Sequence, residues 1–176
     1  MQFYIVQGIG FIGMILAFIA FQQNGKKKIL WIQASAAMIF AVHFMLLRAF
    51  TGVAMNLLTI PRNLLFARKY KKQKQFLLTA AFIAAFIILG IVVWENALSL
   101  LPIVAMSIST VVFTMQNTRN IRLCSLPVSA LWIIYNISAL SVAGVLTESF
   151  CFISILISVY RFDIIKQKNK TKGYIK

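Results

Sequence analysis

The sequence is poor in charge, and poorest in negative charge. Only 12% of its 176 residues are charged, and Asp and Glu together number three. Soluble globular domains carry about twice that share of charge. With 61% hydrophobic residues, a chain of this length has too little interior to hide its apolar surface from water. A soluble fold is therefore excluded, and lipid is the solvent that suits the composition. Histidine occurs once and cysteine twice. No spacing of His, Cys and acidic residues suits a metal, and no nucleophile stands beside a base, so neither an enzyme nor a cofactor is expected. Cys124 and Cys151 fall inside apolar runs at opposite depths, which argues against a disulfide; each reads as a small buried hydrophobe. No lysine lies within an apolar run, which removes a retinal Schiff base. Gly8, Gly10 and Gly13 spell GxGxxG, but no strand precedes them, so they read as helix-packing positions rather than a dinucleotide loop.

What the chain does contain is basic: 18 Lys and Arg give a formal charge of +15. On a soluble domain such a charge would suggest nucleic acid. Here the basic residues form short clusters between long uncharged runs instead of one face, so no nucleic-acid partner is expected. Clusters beside apolar runs are the positive-inside pattern.

About 20 apolar residues cross a bilayer as a helix. Seven stretches qualify or nearly so: Phe3–Phe21, Ile29–Leu47, Ala49–Ala67, Phe76–Trp94, Ala97–Met115, Leu123–Ser141 and Val145–Tyr160. The third and seventh are the weakest, interrupted by Arg62 and Glu148. The tightest connections, at Arg48, Glu95–Asn96 and Val142–Gly144, predict hairpins between helices 2–3, 4–5 and 6–7. The first run has no basic residue before it and no small-x-small site after it, so it is expected to remain as a membrane helix. With the N-terminus outside and the C-terminus in the cytoplasm, sixteen basic residues fall on the inner side. They are Lys26, Lys27, Lys28, Arg68, Lys69, Lys71, Lys72, Lys74, Arg119, Arg122, Arg161, Lys166, Lys168, Lys170, Lys172 and Lys176. Arg48 alone falls outside and Arg62 lies within helix 3. Dropping any one helix would scatter these charges across both sides.

A weak internal repeat runs through the chain. A shift of 92 residues places Phe40 on Trp132, His43 on Tyr135, Gly52 on Gly144 and Asn56 on Glu148. Gln23-Asn24 and Gln116-Asn117 also correspond to within a residue, each before a basic cluster. Two three-helix units separated by one helix share an orientation, which makes this a parallel repeat. The expected fold class is thus all-α membrane, with a first unit at 1–67, a linker helix with its loops at 68–96, a second unit at 97–162, and a basic cytoplasmic tail at 163–176 that touches anionic lipid. The linker run Phe76–Trp94 has Thr79 as its only polar side chain and suits a lipid-facing role.

The opening QGIGFIG, the stretch AVHF, the later WIIYN, and Gly144 with Glu148 followed by Phe150 resemble the YgjV-type bacterial inner-membrane proteins. The resemblance extends to about Phe162 and implies a multi-pass protein of the inner membrane. That family is grouped with the SWEET and PQ-loop transporters, so the resemblance implies a 3+1+3 plan and, by kinship, movement of a small polar solute. A homo-oligomer is compatible with it. The other function class is a non-transporting membrane assembly or partner protein that keeps the fold.

Candidate site residues follow from depth. His43 and Asn56 are equidistant from the first hairpin turn, and Tyr135 or Asn136 and Glu148 stand in the same relation to the other. Each is six or seven residues into its helix, roughly 10 Å from the outer end, so polar groups of both halves are expected to converge. In the sugar-transporting relatives, aromatic and asparagine side chains at comparable places line the substrate site. The resemblance therefore implies Phe40, His43, Asn56, Trp132, Asn136 and Glu148 here. A carboxylate in an apolar run marks a functional site, lies near enough to the outer surface to be hydrated, or pairs with a neighbour such as Arg48. His43, as a partner of Glu148, would carry a proton; the plainer reading is an interhelical hydrogen bonder. Arg62, after Pro61, reads as snorkelling to the inner face or as a cytoplasmic gate. Pro102 and Pro127 are the expected kink sites.

Overall fold

The computed structural model of the protein describes residues 2–23, 26–115 and 117–160. The tail at 163–176, Asn24 and Gln116 lie outside the described residues. Seven α-helices run through them: α1 Gln2–Phe21, α2 Lys26–Leu46, α3 Phe50–Phe66, α4 Lys72–Val92, α5 Leu100–Val112, α6 Thr118–Ser138 and α7 Val142–Val159. No strand occurs among the described residues.

Helices α2, α4 and α6 begin earlier than their apolar runs. Lysine and arginine are good helix formers, so the backbone coils before the chain becomes apolar. At α6 the Asn117 side chain also accepts from the Arg119 N–H at 3.0 Å, a cap that reading apolar runs overlooks. Helices α1, α2, α4, α6 and α7 are long and apolar enough to cross a membrane. The two that fall short are α3, with 17 residues, and α5, with 13. The seventh helix is therefore stronger than expected and the fifth weaker. Asn96 accepts from Leu98 N–H at 2.8 Å, and the three residues Ala97–Ser99 form a 3-10 turn before α5 starts.

Helix α2 packs between α1 and α3, and α6 between α5 and α7. Two further contacts, α1 with α7 and α3 with α5, join the sets, so six helices close a ring in the order 1, 2, 3, 5, 6, 7. Helix α4 lies outside it, against α5 and α3. Its buried residues Phe82, Phe86 and Gly90 form one stripe at four-residue spacing, while Phe76, Leu77, Ile88, Ile91 and Val92 face outward. Gly90 is required, because a side chain there would overlap Ile103 of α5. Small residues also let α2 approach its neighbours: Ala34, Ala37 and Ala41 are all buried. Without a hydrophobic drive between helices in lipid, such close packing is what holds them together.

The hairpin turns share one geometry. Arg48 and Leu140 have φ of 58° and 54°, the only positive values at non-glycine residues among those described. Around Arg48, Ala49 N–H reaches Phe44 O at 2.9 Å and Arg48 N–H reaches Met45 O at 3.0 Å. Around Leu140, Ser141 N–H reaches Asn136 O at 2.9 Å and Leu140 N–H reaches Ile137 O at 3.2 Å. These paired bonds are the Schellman helix ending. The second turn thus lies at Ala139–Ser141, before the Val142–Gly144 segment expected from the sequence. The Ser141 hydroxyl starts α7 by accepting from Gly144 N–H at 3.1 Å.

Candidate functional site

Each helix leaves its first amides without partners in its own backbone, and here side chains from other helices supply them. At the start of α7, the Gln7 side-chain oxygen accepts from Val142 N–H at 3.0 Å and lies 3.5 Å from Ala143 N, while its amide donates to Leu140 O at 2.8 Å. At the start of α3, Thr51 N–H donates to Glu95 Oε2 at 2.9 Å and Gly52 N–H to the Tyr135 hydroxyl at 2.7 Å. The Thr51 hydroxyl is also bonded to Ser99, 2.9 Å away. Gln7 and Ser99 are 92 residues apart, so equivalent places on α1 and at the head of α5 each hold the third helix of the opposite set.

His43 and Tyr135 are another such pair. The His43 Nδ1–H donates to Val6 O at 2.9 Å, which leaves Nε2 to accept from the Ser141 hydroxyl at 2.8 Å. Ser141 in turn holds the Gly144 amide. His43 is fully buried and Tyr135 nearly so. Both therefore act as crossbeams to the N-terminus of an opposite helix. His43 does not meet Glu148, and neither His43 nor Tyr135 lines the cavity described next. Gly10 makes room for His43 and for Ala143: a Cβ there would lie 2.8 Å from each.

Just below the crossbeams is a cavity of about 60 Å³ lined by Phe40, Phe44, Asn56, Trp132, Asn136, Gly144, Thr147 and Glu148. Three of the lining pairs are related by the 92-residue shift: Phe40 with Trp132, Phe44 with Asn136, and Asn56 with Glu148. Asn56 and Glu148 are each the seventh residue of their helix, about 9 Å in at 1.5 Å per residue. Phe44 and Trp132 stack at 6.2 Å with a 28° tilt. Glu148 faces Ser129 of α6, while Arg48 lies apart on a second cleft with Glu95. Phe44 and Thr147 were not among the expected site residues. Phe44 stands opposite Asn136 in the repeat, which is the signal that points to it; Thr147 has no such mark.

The second cleft, about 230 Å³, is bounded by both hairpin turns and by Glu95, Asn96, Ser99 and Tyr135. It is the larger, but Arg48, Glu95 and Asn96 are exposed there. It reads as a vestibule at the hairpin turns.

Arg62 does not snorkel. It is 2% exposed, and its guanidinium reaches Asn63 Oδ1 through Nε at 3.2 Å and Nη2 at 3.0 Å. Nη1 reaches Thr110 at 3.2 Å and Ser109 at 3.4 Å, both on α5. The Phe113 and Phe86 rings lie 4.8 and 5.6 Å from Cζ. Hydroxyls on the neighbouring helix capture the charge before it reaches an interface. The result is a tie between α3 and α5, six residues further along α3 than Asn56.

A family model of bacterial inner membrane proteins, Imp-YgjV, matches residues 4–166. The chain belongs to the Imp-YgjV family. It is thus a multi-pass helical protein of the bacterial inner membrane, and the outward faces of α1, α4 and α7 are apolar. The match runs from the first turn of α1 to beyond the end of α7, so cavity, crossbeams and Arg62 tie all lie within the family's extent. No curated protein and no solved structure matches the chain.

Proposed function

We propose that this Imp-YgjV protein is a transporter or facilitator for a small polar solute. In this reading all seven helices span the membrane as two parallel three-helix units joined by α4, a SWEET-like plan. The N-terminus is outside and the basic inner segments are in the cytoplasm. The observation that carries it is the cavity lined by three repeat-related pairs, Phe40 with Trp132, Phe44 with Asn136 and Asn56 with Glu148. A cavity where two equivalent units meet is where alternating access places its solute. The Arg62 tie across α3 and α5 supports the second element such a protein needs, a closure on the cytoplasmic side of the site.

The bonds made across the sets by Gln7, His43 and Tyr135 favour one other reading, a non-transporting membrane assembly or partner protein whose fold is static. Solute uptake into proteoliposomes separates the two. Uptake above empty liposomes that falls at least tenfold in Glu148→Gln and Asn56→Ala supports transport. Uptake equal to empty liposomes across a broad panel of polar solutes supports the static reading.

A further inference from the structure

The polar groups on the cavity wall are not balanced. The Asn56 amide donates to Gly52 O at 2.9 Å, the Asn136 amide to Trp132 O at 2.8 Å, and the Thr147 hydroxyl to Ala143 O at 2.7 Å. Each of these donors is turned back onto its own helix, four residues earlier. This also sets the amide orientations, because a carbonyl can only accept. The acceptors are left over. Asn136 Oδ1 is buried without a hydrogen-bond partner, the sole such side-chain atom among the described residues, on a residue only 2% exposed. Asn56 Oδ1 accepts no hydrogen bond among the described residues, and Glu148 adds a carboxylate that meets one donor, Ser129.

With the Asn56 amide turned back on its helix, the oxygens of Asn56 and Glu148 leave this wall rich in acceptors, which suits a visitor that brings N–H or O–H donors. Charge narrows the choice. Glu148 is the only ionisable residue on the wall; Arg48, Arg62 and His43 all lie outside it. The remaining surface is aromatic, with the stacked Phe44 and Trp132 rings beside Phe40. A carboxylate, free carbonyl oxygens and aromatic faces together favour a cation, and one with N–H donors. By the volume that one water needs, 60 Å³ holds on the order of four water-sized groups.

Resting on the reading of this cavity as the solute site, we infer that the solute is a small alkylammonium ion, of the size of methylammonium. Glu148 binds its charge, Asn56 Oδ1 accepts an N–H group, and Trp132 and Phe44 cover its methyl end.

Trp132 is a built-in reporter. Trp31 and Trp94 are about half exposed, so Trp31→Phe and Trp94→Phe leave its fluorescence isolated in purified, full-length protein. The probes are methylammonium chloride, potassium chloride at equal ionic strength, and ethylene glycol as a neutral donor. The expected result is a saturable response to methylammonium alone, weakened at least tenfold by Glu148→Gln and, independently, by Asn56→Leu on the partly exposed face of α3. An equal response to potassium overturns the assignment in favour of an inorganic cation. Unchanged affinity in Glu148→Gln overturns it as well. A response to ethylene glycol without one to methylammonium overturns the cation but leaves transport of a neutral solute standing. Silence to all three probes overturns the assignment, while uptake in proteoliposomes decides transport separately.

Discussion

Arg48 and Leu140 hold the same left-handed backbone position in two hairpin turns 92 residues apart, at φ 58° and 54°. Neither residue type favours that conformation, which costs an L-residue roughly 1–2 kcal/mol. Glycine would adopt it freely. Leu140 is 68% exposed, so little packing is lost on replacement. Leu140→Gly and Arg48→Gly are each expected to stabilise the protein by about 0.5–1 kcal/mol, measured as a shift in denaturant midpoint in mixed micelles. Destabilisation by both would show that the side chains, not the turn geometry, hold these corners.

The opposite caps predict a matched pair of losses. Gln7→Leu removes the partner of Val142 N–H and of Leu140 O in one step. It is expected to cost about 1–3 kcal/mol and to speed amide hydrogen exchange at Val142 and Ala143. Glu95→Ala removes the acceptor of Thr51 N–H and is expected to cost about 0.5–2 kcal/mol, with faster exchange confined to the first turn of α3. Exchange that rises evenly along either helix would count against capping.

Glycines of the GxGxxG run and of α7 should separate cleanly. A methyl at Gly144 would overlap the Asn136 amide and lie 2.6 Å from Ser141 Oγ. Gly144→Ala is expected to cost about 1–3 kcal/mol by overpacking and to abolish solute binding. At Gly8 nothing lies within 4 Å of such a methyl, so Gly8→Ala is expected to be neutral or stabilising by up to about 1 kcal/mol. Thermal denaturation of the two variants side by side checks both signs.

Arg62 tests whether the tie serves stability or closure. Arg62→Met fills the space without a buried charge, and such replacements are often neutral or stabilising. Arg62→Ala leaves a void and is expected to be less stable than Arg62→Met by about 2 kcal/mol or more. Both variants lose the bonds to Ser109 and Thr110, so both are expected to label faster with a thiol reagent added on the side of the basic clusters at Ser107→Cys, one turn before Thr110 on α5. Labelling at the parent rate in both would mean that Arg62 does not close the path.

Much of this was legible in the residues, for identifiable reasons. Apolar run length locates a helix because the bilayer core has a fixed thickness, so all seven helices were found in order. The ends were misjudged wherever a polar cap intervened, as with Asn96 and Asn117, or where a turn used Leu140 in place of glycine. The shift of 92 residues was visible, and it relates three pairs that line the cavity. What it did not reveal was which pair lines a cavity and which braces a helix end. Phe40 with Trp132 and Asn56 with Glu148 do the first, His43 with Tyr135 the second. Gln7 escaped notice because a lone glutamine in an apolar run has no periodic partner nearby; its partners lie more than 130 residues away.

Composition, run length and the placement of basic residues thus determined on their own that this chain lives in lipid, and they located the seven helices seen among the described residues. Those properties come from transfer free energies summed over local stretches, and a local sum can be read along the chain. Tertiary structure alone decided the fate of each polar side chain. A buried histidine, arginine or asparagine has the same need for a partner wherever it sits. Which partner it finds depends on how helices distant in sequence are rotated against one another. That rotation gave each side-chain nitrogen of His43 and Arg62 a partner, and left Asn136 beside Glu148 with an acceptor still free.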